Sequence, residues 1–86
     1  MNDTMDYDFT SAVLTEDARG LLCPEPVMRA RIAISQIERD QCLLLLADDP
    51  HAGLDLEVFC LRGGHQLLAR RQEGKDWHFL IQKGAR

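Results

Sequence analysis

Arg19-Gly20-Leu21-Leu22-Cys23-Pro24-Glu25-Pro26-Val27-Met28 is the stretch from which the rest of the chain is read. Two prolines one residue apart fit neither a strand ladder nor a helix interior. Pro24 at a first helical position, however, loses only an N–H that has no intrahelical partner there. A helix is therefore predicted to start at Pro24. The residue before a proline is pushed out of the helical region, which places Cys23 at or just before that start, its sulfur beside the open N-terminus. The positive end of the helix dipole favours thiolate over thiol, and this makes Cys23 the candidate nucleophile. The plain alternative is a small buried hydrophobe at a Pro-x-Pro start of purely structural use.

A thioredoxin-type dithiol is excluded within the motif, because the fourth position, where a resolving cysteine would stand, is Pro26. One sulfur can still serve nucleophilic catalysis, one-thiol exchange, or carriage of a sulfur atom as a persulfide. Gly20 marks the turn that leads into the motif. Glu25, in the first helical turn, suits the dipole but opposes thiolate formation so close to Cys23. Arg29 and Arg31 lie one to two turns on, where they either help to hold a thiolate or contact a partner, or simply solvate the outer face.

Moving outward, residues 1–10 are polar and acidic without a regular pattern and read as a flexible N-terminal tail; residues 11–86 read as one domain. Ala12-Val13-Leu14 begins a short strand. Val27, Ala30, Ile34 and Ile37 recur at helical spacing, so the first helix is predicted over Pro24 to Ile37. Cys42 to Ala47 is a continuous apolar run, as an interior strand requires. A second helix is predicted from near Pro50 through Ala52, Leu54, Val58 and Leu61 to the Gly63-Gly64 stop, followed by strands at His65–Gln72 and Trp77–Gln82. The order is βαβαββ. It predicts an α+β fold, a two-layer sandwich with a four-stranded mixed sheet and two helices on one face. The other face should then expose some of Leu44, Leu46, Leu68 and Leu80 as an apolar docking patch.

With 86 residues the chain forms one small domain, too small for a large private cavity. Its formal net charge of −4 argues against direct nucleic-acid binding through general electrostatics. Three cysteines, no apolar leader and no apolar run of the roughly 20 residues that cross a bilayer point to a cytoplasmic protein without membrane contact. Cys42 and Cys60 read as packing residues. Cys60, His65 and Asp49 match no usual zinc spacing, so no metal site is predicted. Asp49 reads as a helix cap.

Residues 17–28, Ala47-Asp48-Asp49-Pro50, Phe59-Cys60, Gly64-His65 and the final Leu80-Ile81-Gln82-Lys83 together resemble the TusA (SirA-like) family of sulfur carrier proteins. The resemblance implies that Cys23 accepts sulfur from the persulfide of a cysteine desulfurase of the IscS type and hands it to a Tus-type relay complex or another acceptor protein. It implies no cofactor beyond the covalently carried sulfur. In the tRNA branch, favoured by Glu25 and the Phe59-Cys60 pair, the atom ends in 2-thiouridine at the wobble position; molybdenum-cofactor sulfuration and sulfur oxidation are the other destinations. A regulatory or RNA-binding module using Arg29, Arg31, Arg70 and Arg71 as a basic patch is the rival class, and a monothiol redox domain is a third.

Overall fold

The computed structural model describes residues 7–84. Cys42–Ala47 forms the central strand β2, in which Leu43, Leu45 and Ala47 are buried and the alternate residues half-buried, the pattern of a strand covered mainly on one side. It is preceded by β1 (Leu14–Asp17) and α1 (Glu25–Ile34) and followed by α2 (Ala52–Gly63), β3 (Gln66–Glu73) and β4 (Asp76–Gln82). The sheet order is β1-β2-β4-β3. β1 runs parallel to β2, a pairing that needs a crossover, and α1 supplies it. β4 pairs antiparallel with both β2 and β3. This is the mixed four-stranded α+β sandwich the sequence predicts.

Register places Leu43 opposite Ile81, Leu45 opposite Phe79 and Ala47 opposite Trp77, so these six share the face that packs on the helices. Against them α1 contributes Ala30, Ala33 and Ile34, and α2 contributes Ala52, Leu56 and Cys60. The small residues at the contact let both helices lie close to the sheet. Cys60 is thus a core residue, as predicted. No helix among the described residues is long and apolar enough to cross a membrane.

In the second half of the chain the boundaries shift by one or two residues from the sequence reading, α2 starting at Ala52, β3 covering Gln66–Glu73 and β4 starting at Asp76; the differences before β2 bear on the motif. The first helix starts at Glu25 with Pro24 as its N-cap, not its first residue, and the Cys23–Pro24 peptide is cis. It ends at Ile34 because Ser35 Oγ donates to the Ile32 carbonyl at 2.6 Å, a side-chain bond that competes with continuation of the helix. Ile37 still reaches the core, from the following turn. The first strand begins at Leu14, not Ala12, because Leu14 is the residue that takes up the register opposite Leu43. Residues 1–6 of the expected tail lie outside the described residues, whereas Phe9–Ser11 form a 3-10 turn with the Asp8 side chain accepting the Thr10 N–H.

The second face of the sheet is less apolar than the pattern predicts. Leu44 and Leu46 are half-buried, Leu80 is only 1% exposed, and Leu68 sits in a bulge between Leu67 and Ala69. His78 and Arg71 share that face by register, and the Arg71 guanidinium stacks 4.7 Å from the centre of the Phe9 ring.

The C-terminal end is closed by a tight seam. Gly64 takes the left-handed conformation that ends α2, and a Cβ on Gly84 would come within 1.7 Å of the Gly64 carbonyl oxygen, so only glycine fits there. The Gly84 N–H donates to His65 Nδ1 at 3.0 Å, which requires that nitrogen to be unprotonated.

Two stability predictions follow from this packing. Leu45→Ala removes a fully buried side chain and is expected to cost about 2–5 kcal/mol in denaturant unfolding. Burial, with the charge of Lys83, lowers the pKa of His65 below its ordinary 6.5. Its contribution is therefore complete above that unfolded value and is lost as pH falls toward the folded one, because the unfolded chain takes up the proton first. Urea midpoints measured between pH 7.5 and 5 should fall more steeply for the wild type than for His65→Gln.

Candidate functional site

Cys23 lies in the loop between β1 and α1, at the carboxyl end of a parallel strand pair, where open α/β sheets leave a crevice. The loop is held by the two aspartates that follow β2. Asp48 receives the Gly20 N–H on both carboxylate oxygens, at 3.0 and 3.2 Å, and Gly20 itself adopts a positive φ of 83° that few other residues tolerate. Asp49 receives the Cys23 N–H at 2.7 Å on one oxygen and the His51 N–H at 3.3 Å on the other. The sequence reading of Asp49 as the helix cap is corrected: the N-cap of α2 is His51, and Asp49 reaches the helix start by accepting the His51 N–H.

Asp49 is only 6% exposed. Burial pushes its pKa up, but the N–H groups of His51 and Cys23, and then the His51 ring, more than reverse that, and it stays below the usual carboxylate value.

The thiol itself is exposed, and its sulfur donates to Asp55 Oδ2 at 2.8 Å. This hydrogen bond is the largest cause of a raised Cys23 pKa, followed by desolvation and by the charges of Asp55 and Asp49. The expectation of a thiol acidified by the helix start is therefore corrected. Pro24 and Pro26 carry no N–H, and the Glu25 N–H is taken by the Leu22 carbonyl at 2.8 Å, so few donors remain at this helix start to stabilise a thiolate. Glu25 is exposed in the first turn of α1, and the carboxylate that opposes thiolate formation is Asp55. Asp55 stands 32 residues away in sequence, in the first turn of α2, and no local motif announces it.

A groove of about 470 Å³ opens beside the sulfur, between α1 and α2. Pro24, Val27, Val58 and Phe59 give it apolar walls, and Arg31, Arg62 and Asp55 are its charged lining. Arg31 thus reaches the site, whereas Arg29 pairs with Glu16 of β1 at 3.0 Å. Pro26 is buried and anchors the helix start to the core side. The motif loop and the two helices that form the groove also carry exposed apolar side chains: Leu22, Leu54 and Leu61 are 73, 65 and 83% exposed, and Val58, Met28 and Ile32 are also exposed. The leucines and valine by which α2 is recognised in the sequence therefore point outward, and the stripe that packs is Ala52, Leu56 and Cys60.

The four arginines of the rival basic patch are dispersed. Arg70 pairs with Glu57 and Arg71 with Glu73, and successive strand positions send these two to opposite faces of the sheet. Among the described residues no group of three or more His, Cys, Asp or Glu side chains could hold a metal ion.

Fold and site together define a class: a small α+β sandwich that displays one accessible thiol at the edge of an interhelical groove. The chain belongs to the sulfurtransferase TusA family, whose model matches residues 15–83. The crystal structure of a SirA-like protein from Desulfitobacterium hafniense is similar, with 26% sequence identity and a TM-score of 0.74, covering 84% of this chain and 99% of that one. Proteins of this family relay sulfur together with partner proteins.

The clamp on Cys23 gives a direct prediction. Asp49→Ala removes the acceptor of the Cys23 N–H while sparing the core, so amide exchange at Cys23 should accelerate roughly tenfold or more with little change at Leu43 and Leu45. Hydrogen–deuterium exchange read by mass spectrometry checks this.

Proposed function

We propose that this protein carries sulfur as a persulfide on Cys23. The observation that supports this most is an exposed sulfur beside an open groove, held by backbone and side-chain hydrogen bonds, with no second cysteine in the motif. The Cys23 sulfur attacks the outer sulfur of a donor persulfide; the donor S–S bond breaks as the new one forms, the donor thiolate leaves, and the Cys23 proton ends on that thiolate. No electron is gained or lost overall. In the second half an acceptor thiolate attacks the outer sulfur, and Cys23 leaves as the thiolate and regains its proton.

The donor in this reading is a cysteine desulfurase of the IscS type, and the receiver a Tus-type relay complex that leads to 2-thiouridine at the tRNA wobble position. Molybdenum-cofactor sulfuration or sulfur oxidation would use the same first step. An open groove and exposed apolar side chains on the helices that form it suit a reaction completed between two proteins, since each brings its own sulfur to a shared surface. Three free thiols suit a reducing cytoplasm. The cofactor requirement is none beyond the carried sulfur.

Cys23→Ser is expected to abolish loading and leave the fold intact, because the side chain is exposed. After incubation with a cysteine desulfurase and cysteine, the wild type should gain one sulfur atom, about 32 Da, lost again on reduction. Sulfur retained by Cys23→Ser in the same intact-mass experiment would move the carrier function away from this residue.

A further inference from the structure

We infer that Asp55 restrains the sulfur transfer, holding Cys23 as a thiol in the unloaded protein and letting go once Sγ carries sulfur. The inference rests on the carrier reading of Cys23 for its purpose, though not for its geometry. Both partners are fixed. Asp55 is part of the first turn of α2, and the Cys23 backbone is tied to Asp49 at 2.7 Å, so the 2.8 Å contact joins two anchored groups.

The contact belongs to one protonation state. A thiol donates to a carboxylate, whereas a thiolate in the same place would oppose it as a second negative charge. Among the described residues, the charged groups around the sulfur are the carboxylates of Asp55 and Asp49 and, along the groove, the guanidinium groups of Arg31 and Arg62; Glu25 stands exposed on the adjoining turn. The carboxylates of Asp55 and Asp49 both act on the sulfur, and among the described residues Asp55 is the one that hydrogen-bonds it.

The bland role for an acid at this position is to complement the dipole of α2. That role needs no contact with sulfur. It predicts that removing the charge slightly weakens the helix and leaves thiol reactivity unchanged.

Proton accounting is complete without an added reactant. On attack, the Sγ–H proton leaves its bond to Asp55 and ends on the departing donor thiolate, while the Sγ–S bond forms and the donor S–S bond breaks. A loaded Cys23 has no proton on Sγ, so the contact with Asp55 is released in the persulfide state. The free carrier is therefore a poor nucleophile toward small electrophiles, and its sulfur is exposed without being reactive.

The test is the pH profile of Cys23 alkylation by iodoacetamide, read by peptide mass spectrometry on the full chain, for the wild type and Asp55→Asn. The expected result is a wild-type midpoint above the ordinary thiol value of 9.0. Asp55→Asn should have a lower midpoint and alkylate roughly threefold or more faster at pH 7, since each pKa unit changes the thiolate fraction about tenfold. A wild-type midpoint below the ordinary value, or an unchanged or slower Asp55→Asn, overturns the inference; the wild-type arm stands even if the variant folds poorly. Loading by a desulfurase, followed in parallel by intact mass, separates the two claims. Sulfur gained by the wild type with an Asp55-independent profile sinks the role of Asp55 alone. An Asp55-dependent profile with no sulfur on Cys23 sinks the carrier reading and leaves Asp55 as the holder of the proton.

Discussion

The N–H groups of Gly20 and Cys23 donate to Asp48 and Asp49, and through these bonds the loop after β2 holds the loop after β1. Both loops leave the carboxyl ends of neighbouring parallel strands, so the clamp spans the one place where the sheet opens. Without it the motif would be a proline-rich connection with few backbone donors of its own. Asp49 can be both buried and charged because the N–H groups it accepts offset the loss of water. The same carboxylate also orders the start of α2, so the position of Cys23 and the position of Asp55 are fixed by a shared part.

Two opposite pulls act on the Cys23 sulfur. A helix N-terminus lowers a thiol pKa through unsatisfied N–H groups and the aligned peptide dipoles. In this chain two of the relevant positions are prolines and a third N–H is already taken, which leaves that pull weak. Against it stands a carboxylate at hydrogen-bond distance, and the carboxylate wins. Exposure and reactivity are thereby separated: the sulfur is accessible at the surface but protonated.

Periodicity and punctuation made most of the fold legible. The apolar run at Cys42–Ala47, the Gly63-Gly64 stop and the alternation of Trp77, Phe79 and Ile81 each act through nearest neighbours, and each element stands where the pattern puts it. What the sequence hid lies in contacts between distant residues. Asp55 reads as one more acid in a first turn until α2 is packed beside α1, and Asp49 reads as a cap until the motif loop folds onto it. The outward turn of Leu54, Val58 and Leu61 was hidden for a related reason. α2 is apolar on more than one side, and only the small residues Ala52 and Cys60 around Leu56 allow the close approach that selects the inner stripe. Pro24 as a cap instead of a first helical residue is a shift of one position, yet it leaves Cys23 outside the helix and its sulfur turned to a neighbouring helix.

The division of α2 into an inner and an outer stripe separates two kinds of selection on one short segment. Substitutions at Ala52, Leu56 or Cys60 are constrained by folding. Those at Leu54, Val58 or Leu61 change the surface around the sulfur at little thermodynamic cost. Recognition can therefore drift while the chemistry is conserved, and a duplicated copy of such a chain could acquire a new recipient for its sulfur by altering a single exposed edge.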